Sequence, residues 1–352
     1  MKNESTSGRV RASTEIGWGV TMPLDSLFLP FELKDLDDCL AHSVPAYSVA
    51  DQEPAHKYKK HNYSESVQFC EEYRGARHEK RATLATPLKS IKKKLQAEKD
   101  EKIWTAGCLM RWILGMPQNS QLKASLSQWS ELMQRAFADF PPLKGLDKWE
   151  CCFEGRLSLL LEAPMPSPAD YTNVWLPKNF AAQNVVRYVV DAGTGRKGLE
   201  GTSQADAVII NEDNHFGIVL EAKVTADASC EISFDMMRNQ IARMIDVMLE
   251  LPHSTTSVGA LSKRDPNRSV FVLLTPRLLK EHWQSRLYGF LMHDYASLER
   301  GPDALKRDLP HRASQKDIDW SCLPKRIGWL TWEDFDEVIK NSCPWLPQYW
   351  PR

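Results

Sequence analysis

Read as apolar and polar positions, the 352-residue chain changes period near its middle. Residues 120–139 with Phe140 place apolar side chains at 122, 126, 129, 132, 133, 136 and 140, at helical spacing, and so predict an amphipathic helix; residues 103–115 read the same way. A third helix is expected over about 147–162, with Asp147 as its N-cap and Pro164, Pro166 and Pro168 ending it. From residue 184 on, β-branched runs take over. VVRYVV (185–190), ADAVIIN (205–211) and FGIVLEAKV (216–224) read as strands, the last two joined by the turn EDNH. A helix over 232–250 is expected from the stripe Met237, Ile241, Met244, Ile245 and Met248. SVFVLLT (269–275) reads as a strand buried on both faces, and 276–295 as a helix opened by Pro276. RIGWLTWEDF (326–335) begins as a short strand, and Thr331 with Asp334 then starts a helix in the manner of a capping box. The order implies a mixed α/β fold. The breaker PPLKG (141–145) sets a loose boundary between a mostly helical N-terminal region, 1–145, and an α/β part, 146–352.

Composition narrows this little. At 42% hydrophobic and 26% charged residues the chain is of ordinary globular make-up. A formal net charge of −1 gives no global signal for a polyanion, so any such binding must come from local patches. The clearest patch is 74–95, with eight Lys or Arg against the single acid Glu79. Its second half reads as a helix starting near Pro87 and carrying Lys89, Lys92, Lys93 and Lys94, either a solvated face or a phosphate-contacting one. Residues 1–20 hold no apolar core of signal-peptide length, and no run approaches 18 apolar residues. The eight cysteines are dispersed and form no CxxC pair. They read as reduced thiols of a cytoplasmic protein that does not engage a membrane. The Cys39, His42, His56, His61 and Cys70 neighbourhood fits no standard zinc spacing.

The hairpin 205–224 carries the candidate chemistry. If Val208 faces Val219, then Asp206 faces Glu221, and both share a sheet face with Lys223. Two opposed carboxylates repel unless a cation lies between them. Hard oxygen donors suit Mg²⁺ or Mn²⁺, and a lysine beside them could orient a water for attack on a phosphodiester.

Asp206, and Glu221 with Lys223 in LEAK, set in a strand–turn–strand that a glutamine-bearing helix and a buried strand follow, resemble the PD-(D/E)xK nuclease superfamily. The resemblance covers roughly residues 147–275, with 327–330 as a further strand. It implies a restriction-endonuclease-like core, a central mixed β-sheet flanked by helices, extended by the helical N-terminal region. It implies Asp206, Glu221 and the Ala222 carbonyl as ligands of Mg²⁺ or Mn²⁺, and Lys223 as the catalytic lysine. A glutamate on the helix before the first strand often completes such sites; Glu154 is the first choice here and Glu162 the second, with the loop acid Glu200 as a third. Gln240 fits the glutamine some members carry on the following helix. Ala205 stands where the motif has proline. Arg196 and Lys197 in GTGRKG, and Arg243 beside Gln240, are the further candidates for backbone contacts to a nucleic acid.

The function this implies is metal-dependent hydrolysis of phosphodiester bonds, DNA first with RNA left open, in defence against foreign DNA or in repair by analogy of fold. Two alternatives stand beside it: a nucleic-acid-binding or assembly protein that does not cut, and an effector subunit active only with a partner protein. Double-strand cutting would favour a homodimer. The bland reading of the hairpin is a surface one, with Glu221 or Asp206 bridged to Lys223 as edge charges.

Overall fold

The two hydrophobic strands of the hairpin form the middle of a five-stranded sheet. In the computed structural model the described residues are Thr105, Leu109, 124–180, 203–224, 226–229, 238–250 and 260–339. Their elements run α1 (Leu126–Ala136), α2 (Trp149–Phe153), β1 (Leu157–Met165), a π-helical turn (Tyr171–Trp175) leading into α3 (Leu176–Phe180), β2 (Ser203–Asn211) and β3 (Gly217–Ala222). Then come α4 (Gln240–Leu249), β4 (Ser269–Thr275), α5 (Arg277–Glu281), α6 (Leu287–Tyr295), α7 (Gly301–Asp308), β5 (Ile327–Thr331) and α8 (Trp332–Val338). The sheet order is β1-β2-β3-β4-β5. β1–β2 and β2–β3 are antiparallel, whereas β3–β4 and β4–β5 are parallel. The fold is therefore mixed α/β, a five-strand mixed sheet with flanking helices.

The pleat divides the core into two layers. Ala207, Ile209, Leu220, Ala222, Val272 and Leu274 face one layer with Trp129 and Met133 of α1, Phe153 of α2 and Trp332 of α8. Val208, Ile210, Val219, Phe271 and Leu273 face the other, with Ile241, Ile245 and Met248 of α4 and Tyr288 and Met292 of α6. Burying each such side chain contributes about 1.5–3 kcal/mol. An exposed i,i+4 pair such as Arg135–Glu131 adds only about 0.3–0.5 kcal/mol, so the apolar pattern decides the fold. Leu132, Met133 and Phe137 precede the expected boundary at 145/146 yet share the first layer with the sheet, so that boundary falls inside one core.

Several expected elements are corrected. The helix expected over 147–162 ends at Phe153; Glu154 is its C-cap, in extended backbone, and β1 begins at Leu157. Gly155 enforces the break. Its φ is +102°, and a Cβ there would lie 2.2 Å from an Asp213 carboxylate oxygen. The run LSLLLEAPM then extends as an edge strand, because a short apolar run satisfies helix and strand spacing alike. Lys148, not Asp147, occupies the α2 cap and makes no side-chain cap bond. Of the helix expected over 232–250, residues 232–237 lie outside the described residues, and α4 starts at Gln240 with Asn239 as the cap that accepts from the Ala242 amide. The helix expected over 276–295 is three pieces, because His282 and Arg286 leave helical backbone around a 3₁₀ turn at Trp283–Ser285. Among the described residues two capping boxes form, Ser125 with Gln128 on α1 and the expected Thr331 with Asp334 on α8. The strand expected at 185–190 and the basic segment 74–95 lie outside the described residues, as does the helix expected at 103–115 apart from Thr105 and Leu109, which are helical and buried. No helix among the described residues is long and apolar enough to cross a membrane.

Candidate active site

The register puts the acids together. Val208 pairs with Val219 and Ala207 with Leu220, so the next step along both strands brings Asp206 and Glu221 level, on the face that looks at α4. Asp206 is 9% exposed, Glu221 1% and Lys223 4%. This is not a solvated edge cluster.

Each side chain is held by a different element. Asp206 Oδ2 accepts from the Ala222 amide at 2.7 Å, tying β2 to the end of β3. Lys223 Nζ donates to Glu221 Oε1 at 2.7 Å, and Gln240 Nε2 donates to the same oxygen at 2.5 Å. Gln240 is the first residue of α4, and its own position is fixed twice. Its Oε1 accepts from the Ser229 amide at 3.1 Å, and its amide donates to the Ser229 carbonyl at 3.1 Å. The backbone of Lys223 is pinned from both sides, since its amide donates to the Leu274 carbonyl at 2.8 Å and its carbonyl accepts from Trp332 Nε1 at 3.1 Å.

Three of the expected participants, Glu221, Lys223 and Gln240, are in direct hydrogen-bonded contact, and Asp206 is bonded to the neighbouring Ala222. Arg243 is half-buried on α4, one turn after Gln240. Glu154 is not part of the site. Its carbonyl accepts from Asn211 Nδ2 at 2.6 Å, and Asn211 is five residues beyond Asp206 on β2, about 17 Å away in extended chain. The expectation failed because it rested on a helix that ends too early. Glu162 lies on β1 rather than on a helix, between Leu161, which pairs with Ala207, and Ala163, which pairs with Ala205. That register sets it level with Asp206. Glu200, Arg196, Lys197, Lys89, Lys92, Lys93 and Lys94 lie outside the described residues.

The opposite end of the hairpin shows what polar groups do there when they only build structure. Asn211 Oδ1 accepts from the amides of Asp213 and Asn214, and its Nδ2 donates to the carbonyls of Cys152 and Glu154. His215 closes the turn with φ +66°.

Sequence reasoning missed three neighbours of the site. Trp332, the first residue of α8, donates from Nε1 to the Lys223 carbonyl. Asp227 lies just past the E-x-K strand and accepts from the first two amides of α6, those of Leu287 and Tyr288. Tyr288 is brought to the site's face of the sheet by that anchor. No local signal marks these residues, because each acts across a long sequence separation.

The donor set suits a hard divalent cation. The Asp206 and Glu221 carboxylates are hard oxygen donors of the kind such an ion takes. Among the described residues no group of three or more His, Cys, Asp or Glu could enclose a metal ion. A cation held here would rest on two carboxylates and keep several waters, as Mg²⁺ does. No protein-family model, curated protein or solved structure matches this chain.

Proposed function

We propose that the protein is a divalent-metal-dependent nuclease of the PD-(D/E)xK kind, hydrolysing phosphodiester bonds, with DNA as the first substrate. The observation that carries this reading is the convergence of Asp206, Glu221, Lys223 and Gln240 at one end of a buried hairpin, two carboxylates with one ammonium and one amide. The order α2, β1, β2 with Asp206, β3 with Glu221 and with Lys223 just past its end, α4, β4 supports it further, the π-helical turn and α3 being inserted between β1 and β2. Asp206, Glu221 and the Ala222 carbonyl are the residues that would hold Mg²⁺ or Mn²⁺. The bound ion would polarise a phosphoryl oxygen and make water a better nucleophile. Lys223 Nζ would orient the attacking water and neutralise charge that builds on the phosphate. Gln240 fixes the direction in which Glu221 presents its carboxylate. A place in defence or repair and a cytoplasmic setting belong to the same proposal by analogy of fold.

One observation favours a second reading, an effector that cuts only with a partner protein. Glu221 and Lys223 are 1% and 4% exposed, so a phosphodiester reaches them only after the covering chain moves. The test is cleavage of supercoiled plasmid and of single-stranded RNA by wild type and Lys223→Ala, with Mg²⁺, Mn²⁺ or EDTA. Metal-dependent cutting lost in the variant supports the nuclease. Binding without cutting under every condition moves the weight to the partner-dependent effector. If wild type neither binds nor cuts, and Lys223→Ala changes only stability, both readings fall and the charges are structural.

A further inference from the structure

The β5 edge of the sheet borders a cavity of about 450 Å³, walled by β5, the end of α1 and the segment from α5 to just past α6. That volume suits a small organic ligand. β5 is two strands from β3, about 10 Å, so the cavity is separate from the acid cluster. Its charge is unbalanced. Lys280 and Arg300 line it, and among the described residues that line it there is no carboxylate. Lys280 Nζ donates to the Trp329 carbonyl at 2.6 Å and forms no ion pair among the described residues. Burial lowers its pKa, a cost that a bound anion relieves. Arg300 Nη1 lies 3.5 Å from Asp294 Oδ1 in an exposed pair that contributes little. Its Nη2 lies 2.7 Å from His293 Nδ1. A guanidinium only donates, so Nδ1 accepts and the ring proton is assigned to Nε2. Neither that N–H nor the Trp283 Nε1–H has a partner among the described residues. Ser297 Oγ, the hydroxyl of the lining, accepts the Arg300 amide at 3.2 Å. The polar groups of the cavity are thus mostly donors. The rest of the lining is flat and apolar. The Trp283 ring is stacked on His293 with centroids 4.3 Å apart and planes 4° from parallel, and Phe290 stands edge-on to it at 5.2 Å. Trp329 is held edge-on to Tyr288 at 6.1 Å, with its Nε1 bonded to Thr275 Oγ1 at 2.8 Å. Both indoles are set in place by the protein's own contacts, and Met292 and Ile327 add aliphatic wall.

We propose that this cavity binds a nucleoside monophosphate unit, its base against the indoles of Trp283 and Trp329 and its phosphate against Lys280 and Arg300. Aromatic rings and cations in one groove are what a flat base joined to an anionic phosphate requires. A phosphate alone would leave the indole and aliphatic walls without a partner, and an uncharged ring would leave Lys280 without an anion. The unit is either a free nucleotide or one nucleotide of a single strand. The ligand is bound there and not cut, so the proposal stands whether or not the acid cluster is a nuclease.

The test is calorimetric titration of the full chain with AMP, adenosine, inorganic phosphate and a single-stranded adenine deoxyhexanucleotide, for wild type, Lys280→Met, Arg300→Gln and Trp283→Leu, all in EDTA. Wild type binds AMP at least about tenfold more tightly than adenosine or phosphate. Lys280→Met weakens AMP about 10- to 100-fold, and Arg300→Gln, at a more exposed cation, about fivefold; neither changes adenosine binding. Trp283→Leu weakens AMP and adenosine alike, about 5- to 100-fold. Arg300 is exposed, so its variant keeps the thermal midpoint within about 2 °C of wild type. It therefore tests the site even if Lys280→Met, which strips the Trp329 carbonyl of its donor, fails to fold. A hexanucleotide that binds more tightly than AMP and is weakened by the same variants identifies a strand as the source of the unit; the reverse order identifies the free nucleotide. The proposal is overturned if phosphate binds as tightly as AMP, if Arg300→Gln weakens adenosine as much as AMP, if hexanucleotide binding is unchanged in every variant and AMP does not bind, or if wild type binds neither. With the metal chelated, none of these outcomes bears on cleavage, which the plasmid assay in Mg²⁺ decides.

Discussion

Helix α4 carries a buried polar cluster at each end, and the two are built on opposite charge arithmetic. Near its C-terminal end, Asp246 is fully buried and accepts from Arg238 Nη2 at 2.7 Å, His311 Nε2 at 3.1 Å and Arg312 Nε. Arg312 also reaches Glu250 Oε2 at 2.6 Å, and the Arg238 guanidinium lies 3.8 Å over the Tyr171 ring. Burial alone would raise the Asp246 pKa; Arg238, His311 and Arg312 outweigh it and hold the carboxyl well below its ordinary range. At the other end, about 9 Å along the helix axis, Gln240 meets Glu221, and the side chains of Asp206, Glu221 and Lys223 sum to −1. Two guanidiniums balance two carboxylates in the first cluster, which locks three chain segments together. Among the described side chains named here the second counts two carboxylates to one ammonium, the balance that the proposed cation site calls for. Buried charge thus reads as structural or functional by its balance rather than by its depth.

The largest effect expected from breaking this contrast is at the locked end. Asp246→Asn leaves Arg238 and Arg312 without their common carboxylate and should destabilise the fold by about 3–5 kcal/mol in urea unfolding at pH 7. Because the folded-state pKa of Asp246 is depressed, its contribution is complete above the ordinary carboxylate value and is lost as pH falls through the folded value. The gap between wild type and variant should therefore narrow only in strong acid. At the open end, Glu221→Gln should lower metal-dependent plasmid cleavage about 10²–10³-fold. Its folding midpoint should fall less than that of Asp246→Asn, since one cation rather than two loses its carboxylate. Gln240→Ala removes the clamp on Glu221 together with the acceptor of the Ser229 amide and should cost about tenfold in kcat, with EDTA abolishing activity of wild type and variant alike. Glu154→Gln should change cleavage less than twofold and stability by no more than about 0.5 kcal/mol, since the residue is exposed at the far end of the hairpin. A large loss of cleavage there would break the assignment of the site to one end.

Much of the site was legible because it is local. Asp206, Glu221 and Lys223 fall on one hairpin, and period-2 alternation plus a short turn fixes which face each occupies. Gln240 was legible only through the resemblance, as a glutamine within the helix expected over 232–250; that it opens α4 is a finding of the structure. Glu154 was misplaced because LSLLLE after a short helix satisfies both periods, and only the break at Gly155 settles it. The split of 276–295 was hidden for a similar reason. Asp227 caps the helix at Leu287 from some sixty residues upstream, and no window of sequence contains both partners.

The sequence by itself determined the alternation that sets Val208 against Val219, the apolar run of β4, the capping box at Thr331 and the carboxylate–lysine spacing, all of which act through neighbours on the chain. Only the tertiary structure decided that Gln240 reaches Glu221, that Trp332 holds the Lys223 carbonyl, that Asp246 collects Arg238 and Arg312, and that Tyr288 stands edge-on to Trp329. Those contacts depend on how the helices pack on the two sheet faces. That packing is set by the summed burial of both core layers rather than by any local pattern.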